Sequence, residues 1–282
     1  MKKIMKNKQT LFLSKKKLLK EAGCDDYKES AKRLFSQAFG MSLAQSYNYQ
    51  IHEGSNEKAS LFSEMVSRRA VGVPTSYIVC SRSFWKNDFH VNGTVLDPRP
   101  ESELIIDVTK NLLFDGMRVL DLGCGSGCIG ISLYKENSNI TLFLADFSKK
   151  ALNLAKKNAE DLKADCEFIH SDLFSNIHAK FDLIVTNLPY IAKDDFCYLQ
   201  REVILYEPHE ALYGGRSGLD IIKLFLNGVN RHLNKNGVFV IEFGKGQDCL
   251  LKEELLRYNF NNVFFYKDLN NVSRAACVKK DT

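Results

Sequence analysis

No stretch of this chain approaches the ~20 consecutive apolar residues that a membrane-spanning helix requires. The one apolar burst near its start, Leu11-Phe12-Leu13, is too short for the core of a signal peptide, so a cytoplasmic protein is expected. None of the eight cysteines forms a CxxC pair. Cys124 and Cys128 are the closest two, but they sit in a glycine-rich stretch, and no His or Cys pair completes a zinc site. Reduced, mostly buried thiols and no bound metal are therefore expected. Internal repeats and low-complexity tracts are absent too. Basic charge is scarce where it would matter for a nucleic-acid face. The formal net charge is +5, yet residues 1–20 hold eight lysines and no acid, and the other 262 residues carry 31 basic and 34 acidic groups. The body is thus slightly acidic, which argues against a broad surface for RNA or DNA. The Lys-rich start reads as a solvated tail or as an electrostatic handle for an RNA-rich partner.

What the chain does have is a change of style along its length. Its 282 residues, 45% hydrophobic and 26% charged, suffice for one large domain or two ordinary ones. Residues 12 to about 71 read as helical. "LSKKKLLKEAG" stops at Gly23, and "DDYKESAKRLFSQAFG" stops at Gly40 with Ala31, Leu34, Phe35 and Phe39 on one face. "SLAQSYNYQIHEG" and "SNEKASLFSEMVSRRAVG" repeat the pattern, with Ser55 as a partial N-cap. Residues 1–71 are assigned to a helical domain with a Lys-rich tail. Residues 72–98 follow as a β-hairpin linker, in which "TSYIVCSRSFW" and "DFHVNGTVL" are strands, "KND" is the turn, and Phe84, Trp85 and Phe89 are its core. From 99 to 282, strand and helix patterns alternate. That alternation predicts an α/β domain with a parallel sheet, helices on both faces, and an antiparallel hairpin at the C-terminal end.

Chemistry concentrates at strand ends. "VLDLGCGSGCIG" is an apolar strand followed by Gly123, Gly125 and Gly127 and then a helix from Cys128. Glycines let the backbone turn sharply and come close to a ligand, and the helix start adds free N–H donors. "GSGCIG" matches the dinucleotide pattern, which keeps a hydride-transfer enzyme as a competitor. The register, with the first glycine directly after Leu122 and an acid at Asp121, suits S-adenosylmethionine better. Asp146 ends the next strand, where a carboxylate accepts ribose hydroxyls. Asp172 follows the third, placed for an adenine amino group under the apolar cover of Leu173 and Phe174. Cys124 in the loop, Phe147 beside Asp146 and Asn187 after the fourth strand complete the expected cofactor site.

The fourth strand runs into Asn187, Leu188, Pro189 and Tyr190. An amide nitrogen is a poor nucleophile because its lone pair is delocalised. The Asn187 side-chain oxygen and the Leu188 carbonyl can accept both of its N–H groups and aim it at a methyl donor. Such positioning supplies about 7–11 kcal/mol in favourable cases. Tyr190 is expected to lie against the planar acceptor and exclude water.

These motifs resemble those of the protein-(glutamine N5) methyltransferases that modify peptide-chain release factors, the HemK/PrmC family. "RRAVGVPTSYI", "VLDPRPESE", "DLGCGSG", "TNLPYI", "EPHEALYGGRSGLD", "EFGKGQ" and "DLNNVSR" follow in that family's order over nearly the whole chain. The resemblance implies a Rossmann-like class I fold with a seven-stranded sheet and S-adenosylmethionine as cofactor. It implies an N-terminal domain that helps hold the release factor, and a Gly-Gly-Gln acceptor gripped at Asn187 to Tyr190. A monomer without sequence-specific nucleic-acid binding is expected. Leu188 stands where the family usually has Pro, Asp97 where it has an apolar residue, and Ser273 where it has Asp. Asn-Leu-Pro-Tyr also resembles the motif of rRNA adenine dimethyltransferases, so a base N6 acceptor is the alternative. A cofactor-sensing adaptor without turnover is a third reading. Arg99 and Glu207 are further substrate-binding candidates: Arg99, with Glu101, orders the cofactor-side loop or forms a plain interdomain salt bridge, and Glu207, with Pro208, shapes the acceptor channel or serves a turn.

Overall fold

A computed structural model of the protein describes residues 2–47 and 56–280. The chain divides into two units. Residues up to Ser81 together with Gln200–Tyr206 form one, and Arg82–Leu199 with Glu207 onward form the other.

The first unit is helical: α1 (Lys2–Glu21), α2 (Tyr27–Phe39), α3 (Leu43–Tyr47), α4 (Asn56–Ala70) and α5 (Thr75–Val79). The Lys-rich start is therefore the beginning of α1 rather than a tail. α2 ends as expected, with Gly40 left-handed at φ 65° and its N–H returned to Gln37 and Ser36. The anticipated face of α2 is buried, and Phe35 packs edge-on against Phe12 and Phe62, with ring centres 5.2 and 5.1 Å apart. The Ser55 cap and most of the helix expected over 42–54 lie outside the described residues. One strand expectation fails. Thr75–Val79 is a turn of helix, begun at Pro74, and it buries Tyr77 and Ile78. Burial against the α2–α4 core outweighs the β preference of these residues. The linker expected over 72–98 is thus divided between the two units.

The second unit begins with a hairpin, β1 (Ser81–Phe84) and β2 (Asn87–His90). Its turn is at Trp85-Lys86, one to two residues earlier than expected, and Phe84 and Phe89 are buried. A single 3₁₀ turn, Pro100–Ser102, leads into α6 (Glu103–Thr109). Then come β3 (Arg118–Leu122), α7 (Cys128–Glu136), β4 (Thr141–Asp146), α8 (Lys149–Leu162), β5 (Cys166–His170) and β6 (Phe181–Thr186). α9 (Arg201–Tyr206) packs with the first unit. α10 (Asp220–His232), β7 (Leu233–Glu242), α11 (Asp248–Arg257), β8 (Asn262–Lys267) and β9 (Ser273–Lys279) complete the chain. Neither α9 nor α11 has a counterpart in the sequence reading.

The seven strands follow the order β5-β4-β3-β6-β7-β9-β8, with β9 antiparallel to both of its neighbours. Side chains alternate across β3: Val119 belongs to the core under α6–α8, and Leu120 and Leu122 to the core under α10 and α11. Covered on both faces, β3 can be apolar throughout except for Asp121. The sheet's direction of growth reverses between β3 and β6, which is where such folds open a ligand crevice. Among the described residues, no helix is long and apolar enough to cross a membrane, and no group of His, Cys, Asp and Glu could hold a metal. All eight cysteines are unpaired, and Cys80, Cys197 and Cys249 are exposed, so the thiols are less buried than expected.

Candidate active site

Leu122 of β3 lies between Ala145 of β4 and Thr186 of β6, so the chain leaves the sheet at Gly123 and Asn187 side by side. The N–H groups of Gly123 and Cys124 both donate to Ala145, at 2.8 and 3.0 Å, which bends the loop over the end of β4. Gly123 and Gly125 are left-handed, φ 73° and 55°, a conformation that strains other residues. A Cβ at Gly123 would stand 3.3 Å from the Leu188 side chain, so the two loops touch. Between them opens a cavity of about 780 Å³, within the range of small-molecule sites.

Of the expected cofactor residues, Gly123, Cys124, Gly125, Asp146, Phe147, Asp172, Leu173 and Asn187 line this cavity. Asp146 braces the loop, accepting from the N–H groups of Gly125 and Ser148, each at 2.8 Å. Burial raises its carboxyl, with those two hydrogen bonds opposing. Asp172 is exposed at the rim, beside Leu173 at a left-handed φ of 44°. Phe174 gives no cover. It turns away to stack on His232 at 4.4 Å, and the exposed Phe147 stands at the cavity instead. Gly127 lies behind the wall, at the start of α7.

Asp121 does not reach the cavity either. On β3 it points the same way as Val119, under α7, where one oxygen accepts from the N–H of Gly130 at 2.8 Å and the other has no hydrogen-bond partner among the described residues. Burial pushes its carboxyl up to about 7. Gly130 is needed there, because a Cβ would fall 2.5 Å from Leu144 and 2.9 Å from Asp121. The dinucleotide-like "GSGCIG" thus serves close helix packing at its last glycine.

On the other side stand Asn187, Leu188 and Pro189. The Asn187 side-chain NH2 donates to Ser102 Oγ at 2.9 Å. Tyr190 departs from expectation. It turns inward, its hydroxyl donating to Glu242 at 3.1 Å, while its carbonyl accepts from Gln247 at 2.9 Å. Burial and the Glu242 carboxylate hold its phenol far above the ordinary range. Arg99 lines the cavity, but Glu207 does not: it is buried behind Arg99, which donates to both of its oxygens at 2.6 and 2.7 Å. Burial lowers the Arg99 guanidinium and Glu207 more than restores it, leaving Arg99 firmly charged. Asp97, one of the chain's departures from the family pattern, is buried 3.8 Å from Arg82.

Several groups escaped the sequence reading. Ser102 and Glu242 sit inside blocks quoted only as family marks. "ALYGG" forms the cavity's far wall, with Phe196 and Tyr213 edge-to-face at 5.7 Å. Gly214 lets that wall lie flat on the Asn187 loop, since a Cβ would meet Tyr190 Cα at 2.6 Å.

A cradle without Cβ atoms, a carboxylate bracing it and apolar flanks fit a nucleoside with a charged tail, and this fold places them at its switch point. They define a Rossmann-like S-adenosylmethionine-dependent methyltransferase. Residues 99–216 match the Methyltransferase small domain, and residues 14–79 match the PrmC N-terminal domain. A release factor glutamine methyltransferase of Koribacter versatilis is 35% identical over 275 residues, 96% of this chain and 98% of that one. Another, of Geobacter sulfurreducens, is 33% identical over 91% of this chain and 90% of its own. A methyltransferase structure from Pyrococcus furiosus shares the fold, with a TM-score of 0.55 at 16% identity over 78% of this chain and all of that one. The chain belongs to the release factor glutamine methyltransferase family.

Proposed function

We propose that this chain methylates the side-chain amide nitrogen of the glutamine in the Gly-Gly-Gln tip of peptide-chain release factors, acting in the cytoplasm. The observation that carries the reading is the contact between the Leu188 side chain and Gly123, which puts the Asn187 loop and the glycine cradle in one cavity. When bound, S-adenosylmethionine supplies a methyl group activated on a sulfonium. The cradle from Gly123 to Gly125, Asp146, Phe147, Asp172 and Leu173 hold it. Asn187 Oδ1 and the Leu188 carbonyl accept the two N–H bonds of the acceptor, which localises the nitrogen lone pair and turns it toward the methyl carbon. The acceptor nitrogen gives up one amide proton to solvent in exchange for the methyl group that the bound cofactor would supply. Pro189 stiffens the loop. Tyr190 acts from beneath, anchoring the loop through Glu242 and Gln247 rather than covering the acceptor. Arg99, held by Glu207, borders the acceptor side.

A base N6 acceptor would pose the same geometric problem, but the helical N-terminal match and the relatives' substrate favour the glutamine reading. The test is to incubate the protein with labelled cofactor and either a release factor or rRNA, then map the label. It is expected on the Gly-Gly-Gln glutamine, and label on rRNA adenine instead would overturn the reading. Asn187→Ala is expected to abolish transfer while cofactor affinity stays within about threefold.

A further inference from the structure

The loop from Asn187 to Tyr190 brings no aromatic ring to the cavity, because Tyr190 turns inward and its hydroxyl donates to Glu242 at 3.1 Å. The rings that do line this side come from the opposite wall. Phe196 rides on a single short 3₁₀ segment, Lys193–Tyr198, and Tyr213 stands just before Gly214. The two pack edge-to-face, centres 5.7 Å apart and planes at 70°, so together they form a corner and not a flat plate. Phe196 is half-buried, Tyr213 is 43% exposed, and the exposed Leu224 of α10 lines the same cavity. Apolar surface left open in a cavity marks a place where something binds.

Both rings are tied to the acceptor loop through backbone. Ile191, four residues after Asn187, donates its N–H to the Leu212 carbonyl at 3.0 Å and accepts from the Gly214 N–H at 2.9 Å, which sets Tyr213 opposite it. The Lys193 N–H donates to the Gly215 carbonyl at 3.2 Å, which holds the start of the segment that carries Phe196. A Cβ at Gly214 would stand 2.7 Å from the Pro189 carbonyl, so the wall lies directly on the loop. The corner of rings therefore keeps a fixed place relative to Asn187 and Leu188.

We propose that Phe196 and Tyr213 form the surface on which the acceptor segment of the release factor lies, and that this surface sets a requirement for glycine next to the acceptor glutamine. The proposal rests on the reading of the substrate above. A glutamine amide hangs two methylenes from its main chain, so a nitrogen held by Asn187 and Leu188 keeps that main chain close to the adjoining wall. Backbone lies against a ring only where no Cβ intervenes, a condition that glycine meets. The corner thus gives the acceptor segment the apolar cover that Tyr190, turned inward, does not give.

The test measures kcat/KM of the full chain on a release factor and on the same factor with Gly→Ala directly before the acceptor glutamine, alongside cofactor affinity. In the unsubstituted enzyme the added methyl group is expected to lower kcat/KM about 10–10²-fold, the scale of forcing it into a packed contact. Tyr213→Ala and Phe196→Ala should be slower on the natural tip, yet lose no more than about threefold further on the alanine tip, because groups that touch are energetically coupled. Tyr213→Phe keeps the ring and should keep the full penalty. Cofactor affinity should stay near that of the unsubstituted enzyme in all three. Any effect of the alanine on the release factor itself is common to every enzyme and cancels between them, and a merely structural role for the rings would leave the penalty unchanged. The proposal is overturned by an equal penalty in Tyr213→Ala and the unsubstituted enzyme, by no penalty in the unsubstituted enzyme, or by Tyr213→Phe behaving as Tyr213→Ala. Loss of transfer to both tips in Tyr213→Ala overturns it too. Should Phe196→Ala not fold, the exposed Tyr213 decides alone. If the unsubstituted enzyme leaves even the natural tip unmethylated, the underlying function fails instead, so the two failures are distinguishable.

Discussion

Asp121, one residue before the end of β3, and Asp146, the last residue of β4, lie on neighbouring strands, yet their environments give them opposite work. Asp146 faces the cavity and holds the glycine turn by two backbone hydrogen bonds. Asp121 faces the protein interior, 1% exposed, with one oxygen unpartnered. Its raised carboxyl sets a pH dependence. Between its ordinary value of 3.8 and about 7 the folded chain binds more protons than the unfolded one, so stability falls as pH rises through that window. The slope is about 1.4 kcal/mol per pH unit for one proton. Urea midpoints of the cofactor-free protein at pH 5 and pH 8 should therefore separate, and Asp121→Asn should bring them closer together. Equal separation in both proteins would show that another group titrates. That Asp121 would turn inward follows from the period-two alternation of a strand, which puts it on the opposite face from Leu122. The alternation is legible in the sequence, but which face meets a ligand is not.

Loops at the sheet edge are held by elements distant in sequence. The Asn187 loop lies under the "ALYGG" wall, where Ile191 bridges Tyr213 and the Gly214 N–H donates to Ile191 at 2.9 Å. Gly214→Ala puts a methyl group 2.6–2.7 Å from Tyr190 Cα and the Pro189 carbonyl, so backbone must move. A loss of about 1–3 kcal/mol in urea unfolding is expected, with a fall in kcat; unchanged turnover would mean that the wall does not shape the loop. In the helical unit, α2, α4 and α9 meet at Arg69, 4% exposed, which donates to Asp26 at 2.8 Å and to Glu202. Burial lifts Asp26, and hydrogen bonds from Ser30 and Arg69 outweigh it, leaving its carboxyl below the usual range. Arg69→Met should cost about 1.5–3 kcal/mol, the scale of a lost hydrogen bond to charged groups, and hydrogen exchange should rise in α9. The spacing Phe62, Met65, Val66 puts Arg69 rather than the adjacent Arg68 on the buried face of α4, but its partners, 43 and 133 residues away, are not legible locally.

At the scale of the whole molecule, the expected cofactor site lies entirely within the unit built from residues 82–199 and 207–280. Ligand binding stabilises only what it touches. Cofactor at 100 times its dissociation constant should add about 2.7 kcal/mol to that unit. Hydrogen exchange should report the gain in β3, β4 and β6 and much less of it in α1 and α2. Equal protection throughout would mean that the two units unfold as one.

Apart from α9 and α11, the alternation of strands and helices from Glu103 onward, the glycine turn and the Asn187 turn were written in local patterns: apolar period, β-branched runs, and glycine or proline at the breaks. Physics acting over a few residues is enough to set them, so they could be read directly. Thr75–Val79 became helix because burial against α2 and α4 overrode its local preference. Tyr190 turned to Glu242 and Phe174 to His232 for the same kind of reason, since their partners come from β7 and α10. The amide of Asn187 is the sharpest case. Its presence at a strand end is local information, but the Ser102 hydroxyl that its NH2 group meets comes from 85 residues earlier in the chain, which only the fold brings within reach.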